Sequence, residues 1–346
     1  MVNNKASEVH HNLNKDRVEA AYRIIQDYVT PTPLKYSEYF SEKHNIPVYL
    51  KLENLNISGS FKIRGAAHAL LRCHKKELAR GVMATSAGNH AQGVAHMAKC
   101  LGVKAKIFMP QSTSLIKVTS TENYGAEVSL VGDSYMEAES EAMKWLEQNG
   151  AKLIHAYRQE DVILGQGTVA IEVMAQCPEV GVVVAPIGGG GLITGMAAYL
   201  RGYDTPERRV KLFGVQSRLC CPVSKLFHGH GSCGLQDCDS QQKPIKAFAT
   251  LADGIAVKNP SPKNIASIVS WVDGVQCVGE RDLAGAIMEL LEREHILGEG
   301  AGVASLAALE LYHNQIREMA DGRPVVCVIS GGNIDASVLC RIMQKG

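Results

Sequence analysis

A lysine set between an aromatic and an aliphatic residue is the first candidate for chemistry. Lys62 stands in the stretch Ser58-Gly59-Ser60-Phe61-Lys62-Ile63-Arg64-Gly65-Ala66. Phe61 and Ile63 box in its amine, and partial desolvation disfavours the ammonium form and leaves a nucleophile. Such an amine condenses with a carbonyl to give a Schiff base. The competing reading is a solvated lysine on an amphipathic helix through Ala66, Ala69 and Leu70, because most lysines are surface lysines.

Three glycine turns supply the rest of a site. Each follows an apolar run that reads as a strand and leads into a helix, the place where open α/β sheets bind ligands. The first, Ser86-Ala87-Gly88-Asn89-His90-Ala91-Gln92-Gly93, brings backbone N–H groups, a hydroxyl, an amide and an imidazole to a helix N-terminus. That combination suits a carboxylate; a plain Ser/Asn helix cap is the alternative. The second, Pro186-Ile187-Gly188-Gly189-Gly190-Gly191-Leu192, costs conformational entropy at each of its consecutive glycines. Bare backbone there can wrap a phosphate, helped by the dipole of the next helix. Dinucleotide binding is disfavoured, because the Gly-x-Gly-x-x-Gly spacing fails at Ile193 and Thr194, and the next strand ends at Gln216 rather than an acidic residue. The third turn, Ser330-Gly331-Gly332-Asn333, offers a hydroxyl to a ring nitrogen, or is another cap. Together the lysine and the three turns describe a phosphorylated carbonyl cofactor and a small carboxylate substrate.

Alternating elements must position these groups. Short apolar runs at 47–52, 81–85, 104–109, 127–131, 152–155, 180–187, 211–215 and 324–329 read as strands. Between them, helical spacing covers 17–29, 62 to about 79, 89–101, 114–124, 134–148 and 167–177. The run 180–187 is apolar throughout, as in a strand covered on both faces. Strand–helix alternation predicts an α/β architecture with parallel sheets. Residues 1–16 are polar and read as a flexible N-terminal tail, and 229–243 reads as a long surface loop.

Composition bounds the partners. The 346 residues are enough for two domains, with 46% hydrophobic and 21% charged residues and a net charge of +1. No global field recruits nucleic acid or an anionic membrane, and no apolar run is long enough to span a bilayer. Ten cysteines without framework spacing point to free thiols in a reducing cytoplasm. Cys220, Cys221, Cys233 and Cys238, with His228 and His230, form a cluster. Adjacent ligands strain a tetrahedral zinc site, so no metal is assigned.

Taken together, Ser-Phe-Lys-x-Arg-Gly, Ser-Ala-Gly-Asn-His, the glycine run and Ser-Gly-Gly-Asn resemble the fold type II pyridoxal-phosphate enzymes, specifically the threonine ammonia-lyase (threonine dehydratase) and serine racemase branch. The match runs in order from about Ala20 to the C-terminus. The resemblance implies an α/β fold like the tryptophan synthase β chain, with two domains, each a mainly parallel open sheet flanked by helices. It places a large cofactor domain at 17–80 and 158–346 and a small domain at 81–157. Lys62 then carries pyridoxal 5'-phosphate as a Schiff base with Phe61 packed near the ring. Asn89 bonds the phenolic oxygen, Gly188, Gly189, Gly190, Gly191 and Leu192 bind the phosphate, and Ser330 meets the ring nitrogen. Ser86, Ala87, Gly88, Asn89 and His90 form the substrate carboxylate loop. Glu299, in Leu297-Gly298-Glu299-Gly300-Ala301-Gly302, matches an acidic position near the ring face, and Tyr157 matches the dehydratase pattern.

The implied reaction is β-elimination from L-threonine or L-serine. Lys62 removes the α-proton, the hydroxyl leaves with a proton from the cofactor phosphate, and the enamine hydrolyses to a 2-oxo acid and ammonia. A serine at the ring nitrogen favours elimination over transamination. Against a racemase, Ala87 stands where that pattern has a proton-transferring serine. Gln216, Cys220 and Pro222 stand where it has acidic metal ligands. The chain ends one short helix after Ser-Gly-Gly-Asn, which predicts a short form without a C-terminal regulatory domain. The family further implies a homodimer or homotetramer. Serine racemase, an ammonia-lyase for another β-hydroxy amino acid such as 3-hydroxyaspartate, and a silent amino-acid sensor on the same scaffold are the alternatives. Intact Lys62, Asn89 and Ser330 argue against the sensor.

Overall fold

The apolar runs assemble into two sheets. The computed structural model describes residues 9–229 and 250–344. The chain opens with α1 (Lys15–Ile25), β1 (Leu34–Ser37), α2 (Glu38–His44) and β2 (Val48–Leu52), then α3 (Lys62–Leu71) and α4 (Lys75–Leu78). Next come β3 (Val82–Thr85), α5 (Asn89–Cys100), β4 (Ala105–Met109), α6 (Leu115–Asn123), β5 (Glu127–Leu130), α7 (Tyr135–Asn149) and β6 (Lys152–Leu153). The chain continues through α8 (Glu160–Gln176), β7 (Val182–Pro186), α9 (Gly191–Leu200), β8 (Lys211–Ser217) and α10 (Pro222–Phe227). It closes with α11 (Pro262–Trp271), β9 (Gly274–Val278), α12 (Glu280–Glu294), α13 (Ala304–Ala320), β10 (Val325–Ile329) and α14 (Ala336–Met343).

The larger sheet has the strand order β1-β2-β10-β7-β8-β9, and the smaller one β5-β4-β3-β6. Among the named strands of the described residues, only the β1–β2 pair is antiparallel and the other pairings are parallel. Side chains alternate across each strand, so an all-apolar run feeds two cores. Val182 and Val184 of β7 join one cluster with Phe213, Val325 and Ile329. Val183 and Ala185 join the opposite one with Leu212, Val326 and Val328. The small sheet repeats the arrangement, with Val82, Ala84 and Ile107 on one face and Met83 and Phe108 on the other. No helix among the described residues is long and apolar enough to cross a membrane.

Several local readings change. β1 and β9 lie outside the expected strands, β6 is only two residues long, and the helix from Lys62 breaks into α3 and α4. α8 begins at Glu160, well before the expected Gly167. The N-terminal stretch is packed where it is described: His10 and Leu13 are buried, and His10 Nε2 bonds Asn264 Oδ1 at 2.8 Å. Residues 1–8 and most of the expected loop at 229–243, with His230, Cys233 and Cys238, lie outside the described residues.

Glycine makes α8 the spine of the site. A Cβ on Gly65 of α3 would lie 2.3 Å from Gln166 Nε2 and 2.7 Å from the Val162 carbonyl. A Cβ on Gly195 of α9 would lie 2.2 Å from the Ile163 carbonyl. Lacking these atoms, α3 and α9 pack backbone-to-backbone on α8, closer than side chains allow.

A buried charge cluster pins the same corner. Arg64 Nε donates to Glu53 Oε2 at 2.7 Å, and Nη2 donates to Glu53 Oε1 and Glu172 Oε2, both at 2.8 Å. Nη1 donates to Glu172 Oε1 at 2.6 Å and Thr168 Oγ1 at 3.2 Å, so each of the five guanidinium N–H groups has an acceptor. Lys51 Nζ donates to Glu172 Oε2 at 2.6 Å and to the Thr32 carbonyl at 2.7 Å. Removing one partner strands the others in a dry interior. Glu172→Ala is expected to lower the unfolding free energy by about 3–5 kcal/mol, read from the urea midpoint; a loss within the range of an exposed ion pair would contradict the burial argument.

Candidate active site

Lys62 is the first residue of α3, the helix that follows β2 of the larger sheet. Its backbone is fixed by sequence-distant strands and loops. Phe61 N–H donates to the Ser330 carbonyl at 3.1 Å, Gly332 N–H to the Gly59 carbonyl at 2.9 Å, and Glu299 N–H to the Gly331 carbonyl at 3.0 Å. Three expected segments are therefore stitched together by main chain alone. On the other side, a Cβ on Gly93 of α5 would lie 3.2 Å from the Lys62 carbonyl carbon, so α5 packs against the start of α3. The Lys62 amine lies 5.1 Å from the Phe61 ring centroid and 3.5 Å from the Ala156 carbonyl. Burial pulls its pKa down from 10.5 to about 8, against the pull of Glu299 in the other direction.

The glycine run follows β7 and caps α9. Gly190 is the N-cap with φ of +89°, a left-handed conformation that favours glycine. A Cβ on Gly189 would lie 2.2 Å from the Tyr157 ring, so Tyr157 is the wall behind the run. Asn264 Nδ2 donates to both the Gly189 and the Tyr157 carbonyls at 2.8 Å and fixes wall and run together. The first N–H groups of α9 have no partner within the helix, and Thr194 Oγ1, in its first turn, is buried without a hydrogen-bond partner.

The Ser86–His90 loop, expected to hold a substrate carboxylate, connects β3 to α5. Ser86 Oγ accepts from Gly88 N–H at 3.3 Å, which leaves its hydroxyl hydrogen free to donate. A Cβ on Gly88 would meet nothing within 4 Å, so the loop faces open space. Ala87 contributes a methyl and no proton chemistry. His90 behaves differently from the expectation. Its Nε2 donates to the Ile154 carbonyl at 2.8 Å, and burial, with the charge of Lys62, lowers its pKa to about 3. The neutral ring therefore presents a bare Nδ1 lone pair. The His90 side chain ties α5 to the end of β6, and only its main chain is left for an anion.

Asn89, Glu299 and Ser330 converge beside Lys62. Asn89 Nδ2 donates to Glu299 Oε1 at 2.6 Å. Glu299 is buried; burial and the neighbouring Asp253 raise its pKa to about 8, so it is largely protonated at neutral pH. Ser330 Oγ makes one contact, 3.4 Å from the Ala301 carbonyl. A residue absent from the sequence reading lies nearby: Lys117 of α6 pairs with Asp253, and both act on the charge of Glu299. The Asp253–Ile255 turn itself backs the glycine run, since a Cβ on Gly188 would lie 3.1 Å from Ile255 Cα.

An amine with a lowered pKa, unpaired helix N–H groups on a glycine run, an orphan hydroxyl and a lightly held serine fit a phosphorylated pyridine aldehyde. The family model for pyridoxal-phosphate dependent enzymes matches residues 25–331. The chain belongs to that family. Among curated relatives, the L-threonine ammonia-lyase of Thermotoga maritima is 40% identical over 335 residues, covering 96% of this chain and 79% of that protein. The L-threonine ammonia-lyase of Geobacter sulfurreducens is 42% identical over 329 residues, covering 95% and 78%. Among solved structures, T.th. threonine deaminase superimposes with a TM-score of 0.82 at 31% identity, covering 93% of this chain and 99% of that one. Maize serine racemase gives 0.84 at 27%, covering 96% and 97%.

In this pyridoxal-phosphate dependent enzyme of fold type II, Gln216 is engaged within the protein. Gln216 Nε2 donates to the Ile187 carbonyl at 3.2 Å and its Oε1 accepts from Ser224 N–H at 2.9 Å, so its amide is occupied in bracing β8. Cys220 is half-buried and Cys221 is buried. Sequence reasoning missed Lys117, Asp253 and Asn264, whose partners lie far away in the chain and leave no local signal. The lowered pKa of Lys62 is open to measurement. In protein stripped of cofactor, the rate of amine labelling at Lys62 is expected to rise with a midpoint near pH 8. A midpoint at the ordinary lysine value of about 10.4 would remove the desolvation argument.

Proposed function

We propose that the protein is an L-threonine ammonia-lyase that also accepts L-serine, converting L-threonine to 2-oxobutyrate and ammonia and L-serine to pyruvate and ammonia. The observation that carries the reading is the junction of a desolvated Lys62 with the glycine run on one side and the Ser86–Asn89 loop on the other. The relatives named L-threonine ammonia-lyase, at 40% and 42% identity over nearly the whole chain, support the same substrate.

When bound, the cofactor supplies a carbonyl that captures the substrate amine and draws electrons from its α-carbon. The N–H groups of Gly188 to Leu192 hold its phosphate at the start of α9, where the helix dipole favours an anion. Ser330 would meet the ring nitrogen as a neutral hydroxyl, and Asn89 would donate to the phenolic oxygen. The Ser86 hydroxyl and the N–H groups of the carboxylate loop orient the substrate so that its α-hydrogen faces Lys62. The Lys62 amine takes that proton; an amine with a pKa near the working pH is suited to both taking and returning it. The C–O bond to the β-carbon then breaks, and the hydroxyl departs as water, carrying away in net the proton taken from the α-carbon. The resulting enamine regains water and yields the 2-oxo acid and ammonia.

Ala87 separates this reading from a racemase. A racemase needs a second proton donor on the far face of the α-carbon, and a methyl cannot supply it. A small amino acid is thus the partner molecule, and the family reading adds assembly as a homodimer or homotetramer in the cytoplasm.

One incubation tests substrate and outcome together. With L-threonine and L-serine in separate reactions, rapid 2-oxo acid release with negligible D-serine is expected. Substantial D-serine would overturn the weight placed on Ala87. Lys62→Ala is expected to abolish turnover, a loss of at least about 10³-fold for a general base and covalent anchor combined; full activity in that variant would end the assignment.

A further inference from the structure

The amide of Asn89 has a polarity that the structure fixes from a distance. Asn333 Nδ2 donates to the Ser58 carbonyl at 2.9 Å and to Asn89 Oδ1 at 2.7 Å. A backbone carbonyl can only accept. The Asn333 atom that touches Ser58 is therefore the nitrogen, and both of its hydrogens are taken up by these two contacts. Whatever Asn89 presents to that nitrogen must be an acceptor, which places Oδ1 there and turns Nδ2 the other way. Nδ2 then donates one hydrogen to Glu299 Oε1 at 2.6 Å, and its second N–H has no partner among the described residues.

Glu299 does not set this polarity. With its pKa raised to about 8 by burial, the carboxyl carries a proton at neutral pH and can face an amide oxygen or an amide nitrogen equally well. The direction comes from Ser58, four residues before Lys62, and is passed through Asn333 to a side chain at the start of α5, the helix that follows β3 of the smaller sheet. Space has been cleared for the middle member. Gly59 has φ of +70°, and a Cβ on it would lie 2.3 Å from Asn333 Oδ1.

We infer that Asn333 is a positioning residue for the cofactor: it dictates which way round the Asn89 amide sits, so that an N–H and not a lone pair meets the phenolic oxygen. This rests on the reading that Asn89 donates to that oxygen. An N–H donor stabilises the ionised form of an oxygen acid, whereas a lone pair disfavours it. Asn333 therefore controls the ionisation of a group that it does not touch.

Substitution by aspartate inverts the relay. An aspartate oxygen in place of Nδ2 carries at most one proton, charged or neutral, and cannot donate to both Ser58 and Asn89. The Asn89 amide then turns over, gives Nδ2 to residue 333 and accepts from Glu299 through Oδ1. Alanine at 333 only releases Asn89 to sample both orientations. An effect through the relay therefore ranks Asn333→Asp above Asn333→Ala, whereas a purely structural role ranks the truncation as at least as harmful.

The test is absorbance spectroscopy of the holoenzyme loaded with pyridoxal phosphate, with the bands of the ionised and un-ionised phenolic oxygen compared across pH. Asn333→Asp is expected to lower the ionised-to-un-ionised ratio about tenfold, the effect of one hydrogen bond to a charged group, and Asn333→Ala by less. Asn89→Ala is expected to lower it too. An unchanged ratio in Asn89→Ala would overturn the reading of Asn89 and the inference built on it. A shift in Asn89→Ala with none in either Asn333 variant would overturn the relay alone. An Asn333→Ala shift as large as that of Asn333→Asp, at matched thermal midpoints, would also overturn it. Should the aspartate variant fail to fold, an unshifted ratio in Asn333→Ala decides against the relay and a partial loss decides for it.

Discussion

Everything at the site hangs on a guanidinium that never meets water. Arg64 is fully buried, and a buried cation is tolerated only when paired and saturated with hydrogen bonds. Glu53 and Glu172 do both. Arg64 stands two residues after Lys62, and at about 100° per residue the two side chains leave α3 on nearly opposite sides. One side is nailed to β2 through the turn that carries Glu53, and to α8 through Glu172. The other side presents Lys62 to the cleft. A lysine can be desolvated enough to become a base while its helix stays in place because the strong interactions that hold that helix lie on its far face.

The same division of labour extends through α8. The α3 helix begins at Lys62, and α9 begins at the glycine run. Both are pressed onto α8 through glycines whose missing side chains leave backbone against backbone. Closely packed helices are stiff, since cores resist small displacements. The distance between the Lys62 amine and the glycine run, the proposed phosphate seat, is thereby set by two glycine contacts on one helix. Asn264 secures the seat from the opposite side by holding Gly189 and Tyr157 at once, and His10 completes the brace from the N-terminal stretch.

What could be read in advance follows from how local each signal is. The lysine stretch and the glycine turns were legible because strand–glycine–helix punctuation lies within a few residues. The two-sided apolar runs of β7 and β10 declared a covered parallel sheet for the same reason. β9 was not legible: Gly274-Val275-Gln276-Cys277-Val278 is short and starts with glycine, and it is a strand because β8 supplies its hydrogen bonds. The start of α8 was hidden by Gly165 and Gly167, which look like a break in sequence and act as contact points in space. His90 follows the loop directly, but its side-chain partner, the Ile154 carbonyl, sits 64 residues away. Asn333 stood inside a motif that was read for its serine, and its reach to Asn89 crosses 244 residues. Long-range side-chain contacts leave no periodicity to detect.

The electrostatics of the cleft then follow from burial acting on both signs of charge. Desolvation lowers Lys62 and raises Glu299 to the same region, about 8 in each case. It disfavours the ammonium and the carboxylate alike. At neutral pH the carboxyl is mostly neutral, and Lys117 is matched by Asp253, so the cleft offers an anion no opposing carboxylate beside Lys62. In the proposed function, fixed N–H dipoles at the starts of α5 and α9 supply the attraction instead. Had Glu299 been ionised, it would have opposed the proposed phosphate and substrate carboxylate, and its charge would have held the Lys62 amine in the ammonium form. Burying the acid deeply enough to keep its proton is what would allow a carboxyl, an amine and the two anionic groups of the proposed ligands to share one cleft.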